Sequence, residues 1–542
     1  MLPISDTYDV LRRDFRWQVP AKFNIGTAIS DAWAGRAPEQ VCLQHFSPDG
    51  AHLSLTYGAF ATQSSSFAKG LRELGVRPGD RVAILLPQGF EAAIAHAGIY
   101  KLGAIALPLA LLFGIEALQY RLGDAGACAI VTNHFGHEKI AAIRSSLPDL
   151  KSVVLVDAQA PGAIGFSVLS NGTAAGFAAV ETTPDDPAMM IYTSGTTGPP
   201  KGALHGHRVL LGHVPGFQFH HAFLPQPGDR MWTPADWAWA GGLLNALLPS
   251  LLLGVPVVSS PAQKFDPHMA FRILEEMQVR NAFIPPTALR LMAIVENPRS
   301  CYRINLRTVG SAGEALGRQT CEQASAALGV PINEFYGQTE CNIVLSSAAH
   351  LGVLKPGSMG KPAPGHDVAI IDAEGRVLPR GTIGQVAVRR PDPVMFLGYW
   401  RNEAATARKY VGDWMTTGDQ GIEDEEGYFT FFGRDDDVIT SSGYRIGPSE
   451  IEDCLAGHPA VQLAAAVGKP DNLRTEIVKA YVVLKPGHAP GPALAANLRD
   501  WVKTRLSMHE YPREIEFLDS LPLTTSGKVI RRLLREKAGA EA

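Results

Sequence analysis

The chain of 542 residues is too long for one ordinary domain, so two or more units with cores of their own are expected. With 49 basic against 53 acidic residues, a net charge of −4 and no long run of one sign, nucleic acid and anionic membrane surfaces are disfavoured as main partners. A composition 46% hydrophobic and 19% charged is that of a soluble globular chain, and six scattered cysteines without C-x-x-C spacing indicate neither a zinc site nor a disulfide framework, which fits a reducing cytoplasm.

The start, "MLPISDTYDVLRRDFRW", lacks an apolar signal core. From about residue 80 to 340, short β-branched runs alternate with helical patterns. "RVAILLP", "ACAIVTN", "KSVVLVD", "AMMIYTS", "GVPVVSS", "NAFIPP", "RTVGSAGE" and "INEFYGQTE" read as strands, and "FEAAIAHAGIYKLG", "DPHMAFRILEEM" and "RQTCEQASAALG" as the helices between them. Within this region "LGAIALPLALLFGI" (102–115) is too short and Pro-interrupted to span a membrane. "LLNALLPSLLLGVPVV" (243–258), holding Asn245, Pro249 and Gly254, reads as a buried helix, turn and strand. The pattern is that of parallel sheets with helical crossovers, an α/β fold in which ligands lie beyond the carboxyl ends of strands.

Past residue 355, Gly- and Pro-rich short strands, "GSMGKPAPGHDVAIID" and "GTIGQVAVRRP", suggest a small β subdomain or barrel. "FFGRDDDVITSSGYRIGPSEIEDCL" then reads as a strand, a charged turn, a glycine loop and a helix start with Ser449 as N-cap. The last hundred or so residues look like a separate small α+β domain, which places the boundary at Asp436 and divides the chain into 1–435 and 436–542.

The stretch "YTSGTTGPPKG" (192–202) follows a strand and carries the chemistry of a phosphate cradle. Gly195, Gly198 and Gly202 permit close backbone approach, Thr193, Ser194, Thr196 and Thr197 supply hydroxyls and exposed amides, and Lys201 adds a cation. The P-loop string G-x-x-x-x-G-K-[ST] is absent, and two prolines stand where that motif needs amides. Downstream come "SAGEAL" (311–316), "EFYGQTE" (334–340), "TTGD" (416–419), "GRDDDVI" (433–439), "SSGYRIGPSEIE" (441–452) and "PLTTSGK" (522–528). "HGH" (205–207) and the pair His220, His221 lack a carboxylate or Cys at ligand spacing, so no metal is expected there.

These motifs, in this order, resemble those of the adenylate-forming superfamily of acyl- and aryl-CoA synthetases, peptide-synthetase adenylation domains and firefly luciferase, and most of all its medium-chain acyl-CoA synthetases. The resemblance implies a large N-terminal domain of α/β sheets with a small β subdomain, followed by a mobile α+β C-terminal domain. It also implies a reaction that joins a carboxylate to the α-phosphate of ATP, releases pyrophosphate, and passes the acyl group to a thiol, here CoA. The loop of Thr193 to Gly198 with Lys201 would hold phosphates. Gly313 and Glu314 would cover one adenine face and Tyr336 the other, beside Gln338; "SAGEAL" has Ala315 where the family often has Pro. Thr339 would meet the α-phosphate and Glu340 would ligate Mg²⁺. Asp419 would hold the ribose hydroxyls with Arg434 nearby, and Lys528 would bridge carboxylate and phosphate.

Rotation of the small domain about Asp436 would then withdraw Lys528 and bring in a CoA face built from Ser442, Gly443, Tyr444 and Arg445, joined through a looser resemblance by Arg474, Lys503 and Tyr511. Trp239 and Gly241, in "PADWAWAGGLLNALLP", would border an acyl pocket; core packing explains Trp237 and Trp239 equally well. Apolar neighbours favour a medium-chain, branched or aryl acid. A carrier-protein-loading enzyme would share the same adenylation half, and the absence of a carrier segment after residue 542 favours free CoA. A dead-site scaffold would lack Lys528 or Glu340, and both are present. "PLTTSGK" also matches the surroundings of lysines acetylated in related synthetases, which makes a lysine acetyltransferase acting on Lys528 a further implied partner. Which acid is used, the pathway, and whether the chain forms a homo-oligomer are left open.

Overall fold

The computed structural model describes residues 1–193, 199–260, 265–435, 437–441, 444–471, 474–506, 510–524 and 528–541, with the backbone alone at 444 and 445. Two large sheets form the body of the molecule. An eight-stranded sheet runs in the order Gly398–Tyr399, Lys201–Gly206, Pro187–Thr193, Ile105–Pro108, Arg81–Leu85, Ala129–Thr132, Ser152–Leu155, Ile164–Gly165. A nine-stranded sheet runs Lys361–Pro362, Asn342–Ser346, Ile332–Gln338, Thr308–Ser311, Asn281–Phe283, Met231–Trp232, Val257–Ser259, Val41–His45, Leu53–Thr56. The middle strands of both are parallel and joined by helices, as the near-continuous apolar runs predict.

One core lies between these sheets. It joins Val82, Ile84, Ala106 and Val131 of the first sheet to Leu43, Met231 and Val257 of the second through the helices Tyr57–Glu73, Phe90–Lys101 and Leu248–Leu253. Phe90–Lys101 is buried on every side from Ala92 onward, which is why its sequence shows no polar stripe. The apolar stretch 243–258 is, as read from the sequence, a buried helix, a turn at Gly254 and a strand; its first turn is a π-helix over Leu243–Leu247. No helix among the described residues is long and apolar enough to cross a membrane.

Two features depart from the sequence reading. The sheets are mixed, not uniformly parallel. Pro187–Thr193 returns as the antiparallel strand Lys201–Gly206, with Thr193 opposite Lys201, because a seven-residue connection is too short for a parallel crossover. Ile332–Gln338 likewise pairs antiparallel with Asn342–Ser346. That second hairpin requires glycine at 337, where a Cβ would fall 1.3 Å from the Asn342 carbonyl oxygen.

Of the two forms expected past residue 355, residues 368–434 take the small β subdomain and not the barrel, an open five-stranded antiparallel sheet: Val368–Ile371, Ile383–Arg389, Trp414–Glu423 and Tyr410–Val411 in order, with Phe429–Arg434 also on Trp414–Glu423. Ser449 does not cap its helix. Pro448, whose fixed φ suits the first helical position, starts Pro448–Ala456, and Gly447 is the N-cap. From Ile439 onward a fourth sheet orders Tyr444–Ile446, Ile439–Ser441, Thr475–Leu484 and Val461–Asp471, with Glu514–Phe517 parallel to Thr475–Leu484. The helices Pro448–Ala456, Pro492–Arg505 and Arg531–Ala540 complete this α+β unit.

Glu334 is a buried carboxyl in the strand that leads to the site. Its Oε1 accepts from the Leu316 amide at 3.1 Å, and its Oε2 has no partner among the described residues. Burial pushes its pKa from the ordinary 4.5 up to about 8. Between those values the folded chain keeps a proton that the unfolded chain has lost, so this group's contribution to stability falls as pH rises. The slope reaches about 1.4 kcal/mol per pH unit. Denaturant midpoints measured from pH 5 to 8 should therefore decline more steeply for the wild type than for Glu334→Gln, in which the titrating group is gone.

Candidate functional site

Three of the sheets converge on one cleft. Asp419, in the strand Trp414–Glu423, is almost fully buried there. Its Oδ2 accepts from the Tyr336 hydroxyl at 2.5 Å and from Gln338 Nε2 at 2.8 Å, and its Oδ1 faces Arg434 Nη1 at 3.5 Å. Strand register explains the last contact, since Asp419 and Arg434 are direct cross-strand partners. Burial pushes the Asp419 carboxyl above its ordinary value, opposed by Arg434, Tyr336 and Gln338. Gln338 Nε2 also donates to the Thr417 carbonyl at 2.7 Å, and Lys409 Nζ donates to Gln338 Oε1 at 3.3 Å. An aromatic ring, a carboxylate and a guanidinium expected to handle adenine and ribose are thus already bonded to one another.

A second group forms where Tyr399 crosses from the first sheet. Its hydroxyl donates to Glu340 Oε1, a buried carboxylate whose own backbone carbonyl accepts from the Phe396 amide at 2.8 Å. Lys201 Nζ stands 5.1 Å from the Tyr399 ring centroid. Thr339 lies in the turn just before Glu340, half-buried. Lys201 is therefore linked through Tyr399 to the carboxylate expected to take Mg²⁺.

Lys528 enters this cleft from the fourth sheet's domain. It lies beside the antiparallel bridge between Leu523 and Val529, and its amide donates to Thr524 Oγ1 at 3.0 Å. Its Cε lies 4.0 Å from the position of a Cβ at Gly313. Crowding by the surrounding protein pulls the ammonium below its ordinary pKa; Glu314, Asp419 and Glu340 oppose that shift and Arg434 adds to it. The cleft is open enough that the residue is still solvent-exposed. Glu314 is itself held by the Thr287 hydroxyl at 2.8 Å and by Arg290 Nη1 at 3.5 Å.

Trp239 is half-buried, edge-on to Phe113 at 5.5 Å, in the apolar cluster that also contains Tyr192, Leu204 and Trp400. A Cβ at Gly241 would approach Phe283 Cε1 to 3.2 Å, and Phe283 in turn packs on Phe335 at 5.6 Å. Trp237 by contrast is core, lying between the two large sheets.

The described residues expected on the CoA face lie on the small domain. Tyr511 lies between Lys503 Nζ at 5.7 Å and Arg513 Cζ at 5.1 Å on the small domain, and the Arg474 amide donates to Asp471 Oδ1 at 2.8 Å. Tyr444 and Arg445 contribute backbone to an edge strand. Ser194, Gly195, Thr196, Thr197, Gly198, Asp436, Ser442 and Gly443 lie outside the described residues.

Sequence reasoning missed Tyr399, Lys409, Thr287, Arg290 and Arg513. Tyr399, Lys409, Thr287 and Arg290 each meet a partner at least 24 residues away, and Tyr399 belongs to a two-residue strand that leaves no periodic signal; Arg513 stands over nearby Tyr511.

Comparisons with known proteins agree with this geometry. A family model described as "AMP-binding enzyme" matches residues 30–400, and one described as "AMP-binding enzyme C-terminal domain" matches residues 450–528. The human mitochondrial "Acyl-coenzyme A synthetase ACSM2B" is 35% identical over 535 residues, covering 96% of this chain and 92% of its own. The crystal structure of the anthranilate CoA ligase AuaEII in complex with anthranoyl-AMP superposes with a TM-score of 0.88 at 28% identity, over 96% of this chain and 98% of that one. MatB from Rhodopseudomonas palustris, 27% identical in both of its structures, superposes with a TM-score of 0.83 when ATP-bound, over 95% of this chain and 98% of that one, and 0.75 as the apo form, over 96% and 99%. A family match over more than half of the sequence, a close relative over nearly all of it, and the cleft of Asp419, Glu340 and Lys528 together make the chain a member of the AMP-binding, adenylate-forming family of ATP-using enzymes.

Proposed function

We propose that the protein is an AMP-forming acyl-CoA synthetase that activates an apolar monocarboxylic acid. The observation that carries this is the position of Lys528, brought from one domain into a cleft lined by Glu314, Asp419 and Glu340 of the other. In the first half-reaction a carboxylate oxygen of the acid attacks the α-phosphorus of ATP, and the bond from that phosphorus to the bridging oxygen breaks to release pyrophosphate. Lys528 would bridge the two anions as they meet, and the Thr339 hydroxyl would orient the α-phosphate. Tyr336, Asp419, Gln338 and Arg434 would hold the nucleoside. In the second half-reaction a CoA thiolate attacks the acyl carbon, and AMP leaves.

Mg²⁺ fits the residues present. Glu340 has one oxygen fixed by Tyr399 and the other without a hydrogen bond among the described residues. No cluster of three or more ligating side chains exists among them, so a single carboxylate would share the ion with phosphates and water, the usual coordination of this cation. When bound it would neutralise phosphate charge.

The two half-reactions need different arrangements, because Lys528 occupies the approach that the thiol must take. Rotation at Asp436, between units 1–435 and 436–542, would exchange Lys528 for the loop of Ser442 to Arg445, with Arg474, Lys503 and Tyr511 meeting the CoA nucleotide. The better superposition on ATP-bound than on apo MatB supports reading the present arrangement as the adenylating one. An aryl acid is a second reading, favoured by the aromatic surroundings of Gly241 and by the anthranilate ligase among the similar structures.

Lys528→Ala should lower acyl-adenylate formation by about 10²–10³-fold, as loss of a charge that stabilises the transition state does. Thioester formation from supplied acyl-AMP should stay close to wild type; equal loss of both steps would remove the assigned role. Acetylation of Lys528 by a lysine acetyltransferase takes away the same charge and should reproduce this pattern. A panel of carboxylic acids scored for AMP release with and without CoA tests acid and acceptor together. Apolar medium-chain, branched or aryl acids should release AMP only with CoA present in stoichiometric amounts, and no release with any acid would overturn the proposal.

A further inference from the structure

The helix Arg318–Leu328 begins without a cap from its own domain. Gly317 precedes it, no side chain caps its first amides locally, and its first turn holds no acidic residue. Such a helix start presents free N–H groups and the positive end of the helix dipole. The acceptor comes from the small domain. Asp453, on the helix Pro448–Ala456, takes the Arg318 amide on Oδ2 at 3.3 Å, and the Gln319 amide faces the same carboxylate.

Close packing makes this contact possible. A Cβ at Gly317 would lie 2.0 Å from Asp453 Oδ1, so any other residue there would displace the carboxylate. At the far end of the same small-domain helix, Gln319 Oε1 lies 2.2 Å from the position of a Cβ at Gly457, a second point of close approach between the two domains. Arg290, which pairs with Glu314 beside Lys528, also faces Asp453, along with Arg318; Glu334 and Cys321 are the acidic and thiol groups nearby.

The geometry points to Asp453 as a positioning residue that caps a large-domain helix in trans and so holds the small domain where Lys528 reaches the cleft. This rests on the reading of acyl adenylation above. Asp453 touches no reacting atom; it weights one domain arrangement against the other, and the contact must break before the small domain can turn. Loss of an N-cap of this kind shifts a two-state population about five-fold.

The experiment compares wild type, Asp453→Asn and Asp453→Ala in three readouts: pyrophosphate exchange for adenylation, thioester formation from supplied acyl-AMP and CoA, and amide hydrogen exchange at Arg318 and Gln319. Asp453→Ala should lower pyrophosphate exchange about five-fold, leave the thioester step at or above wild type, and speed exchange at the two amides by a similar factor. Asp453→Asn, which keeps a side-chain acceptor, should fall less in each. Equal loss of both half-reactions, or unchanged amide exchange in Asp453→Ala, overturns the latch. Amide exchange needs no chemistry, so it still decides the latch where wild type makes no acyl-AMP, an outcome that would instead remove the functional reading.

Discussion

Two anions must be brought into contact, and the rest of the site follows from that constraint. A carboxylate approaching a triphosphate at about 4 Å is repelled by about 4 kcal/mol per charge pair at a protein's effective dielectric. A cation fixed permanently between them would block the thiol that must later reach the same carbon. On the proposed mechanism, placing Lys528 on a separate domain would answer both demands, since the charge could be supplied for one step and removed for the next. Its neighbours fit that use: Glu314, Asp419 and Glu340 are each held by other side chains, so the acidic lining stays in place whether or not the lysine is present.

The side of the cleft proposed for the nucleotide is closely bonded by contrast. Tyr336, Gln338 and Arg434 all meet on the Asp419 carboxylate, and the two strands that carry Asp419 and Arg434 are paired in register at those residues. Little reorganisation is left for the moment of binding, which is how fixed dipoles and charges are most effective. On the proposed reading the acid side would be formed by Trp239, Gly241 and Phe283, where shape and apolar area would set selectivity in place of charge.

Much of this architecture was legible in the sequence. Most of the parallel strands, from Arg81–Leu85 to Thr308–Ser311, are short apolar runs that could be read as strands, whereas Ile105–Pro108 is hidden in a continuous apolar stretch and Met231–Trp232 is only two residues long. "YGQTE" and "TTGD" stood out as motifs in the sequence, and the structure brings their Tyr336, Gln338 and Asp419 together across strands. What stayed hidden depends on distant partners. The hairpin return at Lys201 and the two-residue strand at Tyr399 have no periodicity to read. The Ser449 reading failed because Pro448 starts the helix one residue earlier, so that a serine with good capping chemistry falls inside the first turn. Asp453 looks like any polar helix residue until the uncapped helix opposite it, 135 residues away in sequence, is known.

The residue after the expected pivot has a mechanical role of its own. Asp437 receives ion pairs from Arg531 and Arg535, and Arg531 also grips Glu452 at 2.5 Å. Arg531 stands three residues beyond Lys528, at the start of the helix Arg531–Ala540. On the proposed rotation at Asp436, these ion pairs would brace the chain just past the pivot against the helix that follows Lys528. The travel of the lysine would then be set largely by the length of that arm.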